Sequence, residues 1–86
     1  MDNKVILKNR EKFWYDSMTE SRKTYVRKLI VSTPGTCSGE PRVINTRLRI
    51  DWVIDAYIQG ELNDYTIDLP QIDIIDAMIV WVCENI

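Results

Sequence analysis

The alternation of apolar and polar positions changes period near residue 50, and that change divides the chain. Before it, Val5-Ile6-Leu7 and Phe13-Trp14-Tyr15 are short apolar runs separated by the charged stretch KNREK, a spacing that fits a hairpin or two turns of helix equally well. From Thr19 to Lys28 the residues are good helix formers, with Met18, Tyr25, Val26 and Leu29 towards one side. Arg22, Lys23, Arg27 and Lys28 point to solvent, so the stretch predicts a short basic helix. LIVS predicts a strand ended by Pro34-Gly35. After a loop holding Gly39 and Pro41, the stretch SGEPRVINTRLRI predicts two short strands joined at Asn45-Thr46.

From Ile50 the period becomes helical, because Ile50, Val53, Ile54, Tyr57 and Ile58 fall at i, i+3, i+4, i+7 and i+8. Asp51 is the expected N-cap of this helix and Gly60 its left-handed C-cap. A second, shorter helix is expected from Asn63 to Leu69, ended by Pro70. A third should start at Asp73, where Asp73 and Asp76 bring negative charge to its positive end, and run to about Glu84. This third helix is apolar nearly all round, from Ile74 to Cys83. A domain of this size buries only about 60–65% of its unfolded surface. The helix is therefore expected either as a central core element or as a homodimer or partner interface built partly from Met78, Trp81 and Val82, with a strand over Ile79 to Cys83 as a minor alternative.

Charge adds a second division. The net charge is only −2, yet residues 1–49 hold all eleven Lys and Arg against five acids, a balance of +6, and residues 50–86 hold eight acids and no base, a balance of −8. The halves can neutralise each other within one chain or between two, or serve different partners. The longest apolar run, Ala77 to Cys83, is far short of a bilayer span, and no apolar signal segment follows Met1. A cytoplasmic protein with no membrane contact is expected, and Cys37 and Cys83 are expected as free thiols.

Catalysis is hard to build from these residues. The chain has no His to act as a base near neutral pH, and two isolated Cys cannot complete a zinc site. PGTCSGEP lacks the Gly-Lys-Ser/Thr ending of a phosphate loop, and the acids show no calcium-loop spacing. No enzyme activity, metal or cofactor is expected.

The stretch LIVSTPGTCSGEPRVINTRLRIDWVIDAYIQGELNDYTIDLPQIDIIDAMIVW, over roughly residues 29–83, resembles the small bacterial family catalogued as domain of unknown function 433. That family runs from a strand through a Pro-Gly-Xaa-Cys loop and Gly-Lys-Pro to a hairpin ending Gly-Thr-Arg-Ile, then three helices. Gly39, Pro41, Thr46, Arg47 and Gly60 match it as a structural signature. Glu40 stands where lysine is usual, and Asn45 stands where glycine is usual, a residue that tolerates positive φ. The resemblance implies a mainly α fold with a small β element, in which a helix-turn-helix-like three-helix part follows a hairpin. On this reading the chain is a single domain, 1–86, with a basic N-terminal extension over 1–28.

The resemblance also implies a function: an antitoxin of a toxin–antitoxin system, often dimeric, that binds and neutralises a PIN-like ribonuclease toxin and can regulate its own operator by DNA binding. No catalytic residue comes with it. An alternative is a DNA-binding transcriptional regulator with no toxin. Its phosphate contacts would be Arg22, Lys23, Arg27, Lys28, Arg42 and Arg49, because the third helix is too acidic to enter a groove. Another is an acidic DNA mimic that inhibits a nuclease, with Asp51, Asp55, Asp64, Asp68, Asp73 and Asp76 standing in for phosphates.

Overall fold

The apolar segment near the C-terminus forms the longest helix, α5 (Gln71–Asn85), and the helices before it pack around its sides. A computed structural model describes residues 2–33, 39–62 and 69–86. The expected helix capped by Asn63, the Pro34-Gly35 turn and Cys37 lie outside the described residues. α5 starts at Gln71 rather than Asp73, with the Pro70 carbonyl accepting from the amides of Asp73 (3.0 Å) and Ile74 (3.3 Å). A proline just ahead of the first turn withholds no N–H that the helix needs.

Three helices precede the sheet: α1 (Asn3–Arg10), α2 (Lys12–Ser17) and α3 (Glu20–Arg27). The open choice between hairpin and helix for the first two apolar runs resolves to helix. Asp2 caps α1 by accepting from the Lys4 amide at 2.9 Å, and Thr19 caps α3 by accepting from the Arg22 amide at 3.1 Å. All three helices pack on α5, and α1 also packs on α4 (Ile50–Gln59).

This cover decides between the two readings of α5 in favour of a central core helix. Val26 and Leu29 of the N-terminal part form one buried cluster with Ala77 and Val80. Leu7 joins Ile50, Val53, Ile54, Met78, Ile79 and Val82 in the other. Ile74, Ala77, Met78, Ile79, Val80 and Val82 are each 4% exposed or less, so the surplus that called for a second chain is buried by the first. Residues 1–28 are part of the core rather than an appendage.

The sheet is small. β1 (Ile30–Val31) pairs antiparallel with β2 (Arg42–Val43), Ile30 opposite Val43 and Val31 opposite Arg42. The expected second hairpin strand is reduced to one bridge between Arg42 and Arg49. Asn45 turns the corner at φ 62°, and Thr46 Oγ1 locks it, donating to the Val43 carbonyl (2.8 Å) and accepting from the Leu48 amide (3.1 Å).

α4 buries Ile50, Val53, Ile54 and Ala56 and ends at Gly60, whose φ of 76° lets its amide donate to the carbonyls of Ala56 and Tyr57. Its N-cap is Arg49, not Asp51. Asp51 lies one residue inside, where its Oδ1 accepts from both the Arg49 Nε and the Trp52 amide and its Oδ2 accepts from Arg49 Nη2. The chain is thus mainly helical with a two-stranded antiparallel sheet. No helix among the described residues is long and apolar enough to cross a membrane.

Candidate functional site

The acids of α5 that face α3 meet its arginines. Arg22 sits between two carboxylates, with Nη2 donating to Asp73 Oδ1 at 2.6 Å and Nε donating to Asp76 Oδ2 at 2.9 Å. Asp73 and Asp76 are both buried, while the Arg22 side chain keeps 30% of its surface exposed. Trp14 Nε1 donates to the other oxygen of Asp76 at 2.8 Å. The Tyr25 hydroxyl reaches Asp73 Oδ2 at 3.5 Å, and the Arg22 guanidinium lies 5.7 Å from the Tyr25 ring centre. Hydrogen bonding to Asp73 raises the Arg22 pKa above its ordinary value.

A second cluster closes the other end of α5. Arg27 grips Glu84 with two bonds of 2.7 and 2.6 Å, and the Tyr15 hydroxyl donates to Glu84 at 2.8 Å. The Arg27 bonds hold the Glu84 carboxyl below its usual range, and the same contact raises Arg27. Hydrogen bonding to Glu84 raises the Tyr15 hydroxyl. The opposed charges of the two halves are therefore joined within one chain.

The residues expected to contact DNA fall into different situations. Arg22 and Arg27 are engaged by α5. Lys23, expected in solvent, is buried: its stem packs inside and its ammonium lies 4.0 Å from the Tyr15 ring centre and 3.5 Å from Glu20. Arg49 pairs with Asp51 at 2.6 Å, which lowers the Asp51 pKa, and stacks 5.2 Å from the Trp52 ring centre. Lys28 is exposed, and Arg42 lies partly buried in the hairpin. Of the expected interface residues, Met78 and Val82 are wholly buried within the chain, and Trp81 is half-buried against the core. Core packing on two sides of α5 leaves no room for a second chain at Met78 and Val82.

The structural signature is accounted for locally. Gly39 (φ 79°) and Gly60 take left-handed backbone, the Pro41 carbonyl accepts from the Ile50 amide at 2.8 Å, and Thr46 locks the hairpin. Arg47 is exposed at the hairpin beside Arg42. Among the acids weighed as phosphate substitutes, Asp51, Asp73 and Asp76 bind arginines of their own chain and Asp55 accepts from Asn3 at 2.7 Å. Asp64 and Asp68 lie outside the described residues.

What remains open is aromatic. Phe13 is 86% exposed, Tyr25 and Ile72 about half, and Trp14 somewhat less. Phe13 and Trp14 line an open groove of about 480 Å³ with Arg10, Glu11, Ser17 and Met18. Trp14 and Tyr25 are tied by their polar ends to Asp76 and Asp73, the same two acids that bind Arg22, which brings both rings to the start of α5, and Phe13 joins this aromatic face through the groove it shares with Trp14. Sequence reasoning missed this face because Phe13-Trp14-Tyr15 resembles an ordinary core run. The available signal was three consecutive aromatics in a helix of one and a half turns, which cannot all point inward.

Comparison with curated proteins and with solved structures returns no match. The family model described as protein of unknown function (DUF433) matches residues 30–81, which span β1, the hairpin, α4 and most of α5. With well over half of its length matched, and α1–α3 lying ahead of the match, the chain belongs to the DUF433 family.

Proposed function

We propose that the chain is a non-enzymatic, antitoxin-like protein that binds a toxin partner of the PIN-like ribonuclease class through the aromatic face of α2 and α3. The observation that carries this reading is the form of the face: Trp14 and Tyr25 have their polar ends fixed on Asp76 and Asp73 while their rings stay partly in solvent, with Phe13 lining one groove with Trp14. Rings held in this way lose little entropy on docking, and tryptophan, tyrosine and arginine are the side chains that most often anchor protein interfaces. Operator DNA is the weaker partner. To neutralise phosphates, Arg22 and Arg27 would have to leave Asp73, Asp76 and Glu84, stranding two buried carboxylates. The dimer loses its main argument once α5 is covered in cis.

Sequencing the neighbouring genes for a small PIN-like ribonuclease, followed by isothermal titration of the chain against it, tests the proposal. Phe13→Ala should weaken binding at least tenfold, about 1.4 kcal/mol, with no change in melting temperature, while Trp52→Ala on α4 should leave affinity unchanged. Absence of such a neighbour, or binding indifferent to Phe13→Ala, would overturn it.

A further inference from the structure

The hairpin holds a cation that the fold leaves incompletely bonded. Arg42 Nη2 donates to Thr33 Oγ1 at 2.9 Å, but Nε and Nη1, both shielded from solvent, meet no acceptor among the described residues. A guanidinium donor taken out of water without an acceptor bears its desolvation penalty with no return, which is uncommon in folded proteins. This arginine borders an open groove of about 630 Å³. The other polar residues at the groove are Thr33, Asn45, Thr46 and Arg47, with Val31 and Ile44 as apolar walls, and none of the described lining residues is a carboxylate.

We infer that this groove is a binding site for a phosphate-class oxyanion, seated on the Arg42 guanidinium. Three donor-bearing residues line the groove from separate backbone positions: Arg42 in β2, Thr33 just past the end of β1, and Asn45 at the exposed hairpin corner. The Thr33 oxygen already accepts from Arg42, so its hydroxyl hydrogen is available to an anion. A tetrahedral oxyanion presents oxygens in several directions, whereas a planar carboxylate serves only one or two. A guanidinium fork binds phosphate oxygens in pairs, and a small turn of the Arg42 side chain towards the groove would give both of its unused donors acceptors. The site is independent of the aromatic face and stands or falls separately from it.

The source of the phosphate is the remaining question, and the test separates free anion from nucleic-acid backbone. The chain is titrated with inorganic phosphate, a nucleoside monophosphate and a short single-stranded oligonucleotide, with binding followed by amide NMR shifts. Saturable shifts confined to Val31, Thr33 and residues 42–47 are expected for at least one of the three. Tighter binding of the oligonucleotide identifies a phosphodiester as the natural group, and equal binding identifies the free anion. Arg42→Gln should weaken the binding at least tenfold and Arg42→Lys less, while Lys12→Gln, which removes the same charge elsewhere, should leave it intact. Equal weakening by Lys12→Gln, equal response to acetate, or no saturable shift at 50 mM phosphate (at neutral pH about two-thirds of physiological ionic strength) would overturn the site. Should Arg42→Gln fail to fold, the Arg42→Lys titration decides alone: unchanged affinity for both the free and backbone phosphates, with shifts scattered over the surface, would equally exclude it.

Discussion

At the α3–α5 seam Arg22 has a carboxylate at each side, and Asp73 and Asp76 are shut off from water by the packing that holds them. In the hairpin, among the described residues, Arg42 finds a threonine hydroxyl and keeps two donors unmatched. The same side chain is used in the first place to join two parts of the fold and in the second is left with capacity to spare. Seam contacts contribute to folding free energy because each removed partner strands a buried charge. A donor without a partner contributes nothing to stability and can only gain when a ligand arrives. Regions where local bonding is incomplete are therefore where binding chemistry is to be sought.

The comparison breaks most visibly at the apolar centre of the seam. Val26 is fully buried with Leu29, Ala77 and Val80, so Val26→Asp would place a carboxylate inside an apolar cluster. A loss of at least roughly 4 kcal/mol is expected, most of the stability of a marginal domain, seen as a steep fall in melting temperature by circular dichroism. Arg22→Ala should follow, lowering the free energy of urea unfolding by roughly 2–3 kcal/mol, below the full value for a buried pair because the arginine is partly solvated.

Acid provides a subtler test. Glu84 has a lower pKa in the folded chain than its ordinary 4.5, so the folded state binds fewer protons than the unfolded one around that value. The stability this contributes is complete above pH 4.5 and is lost as pH falls through the depressed folded value. Melting temperature should drop on acidification below 4.5, and Glu84→Gln should remove part of that dependence. Arg42→Ala should have the smallest effect, within about 0.5 kcal/mol of the wild type in urea, because it removes unmatched donors along with the packing of the stem. A loss as large as that of Arg22→Ala would erase the distinction between the two regions.

Much of this fold was legible where one element suffices to decide it. The α4 stripe, the left-handed Gly60 and the positive φ at Asn45 follow from periodicity and turn chemistry within a few residues. The segregation of bases and acids likewise pointed to neutralisation between halves. It could not say which groups meet, since Arg22 and Asp73 are 51 residues apart. The cover of α5 was illegible for the same reason. An all-round apolar helix shows that something must surround it, but not whether that is a second chain or its own N-terminus. Lys23 was misplaced because the Tyr15 ring that receives its charge lies on another helix. Asp51 was misassigned because its neighbour Arg49 competes for the same oxygens as the first-turn amides.

The central claim is that α1–α3 belong to the core that encloses α5. Native-state hydrogen exchange tests it most directly, by comparing the amides of Val26 in α3 and Val80 in α5, which share one buried cluster. If the helices form one cooperative unit, both amides should exchange with the free energy of global unfolding and respond equally to urea. Exchange at Val26 that is orders of magnitude faster than at Val80 and insensitive to urea would contradict the account, because it would show the N-terminal helices opening while the core stays folded.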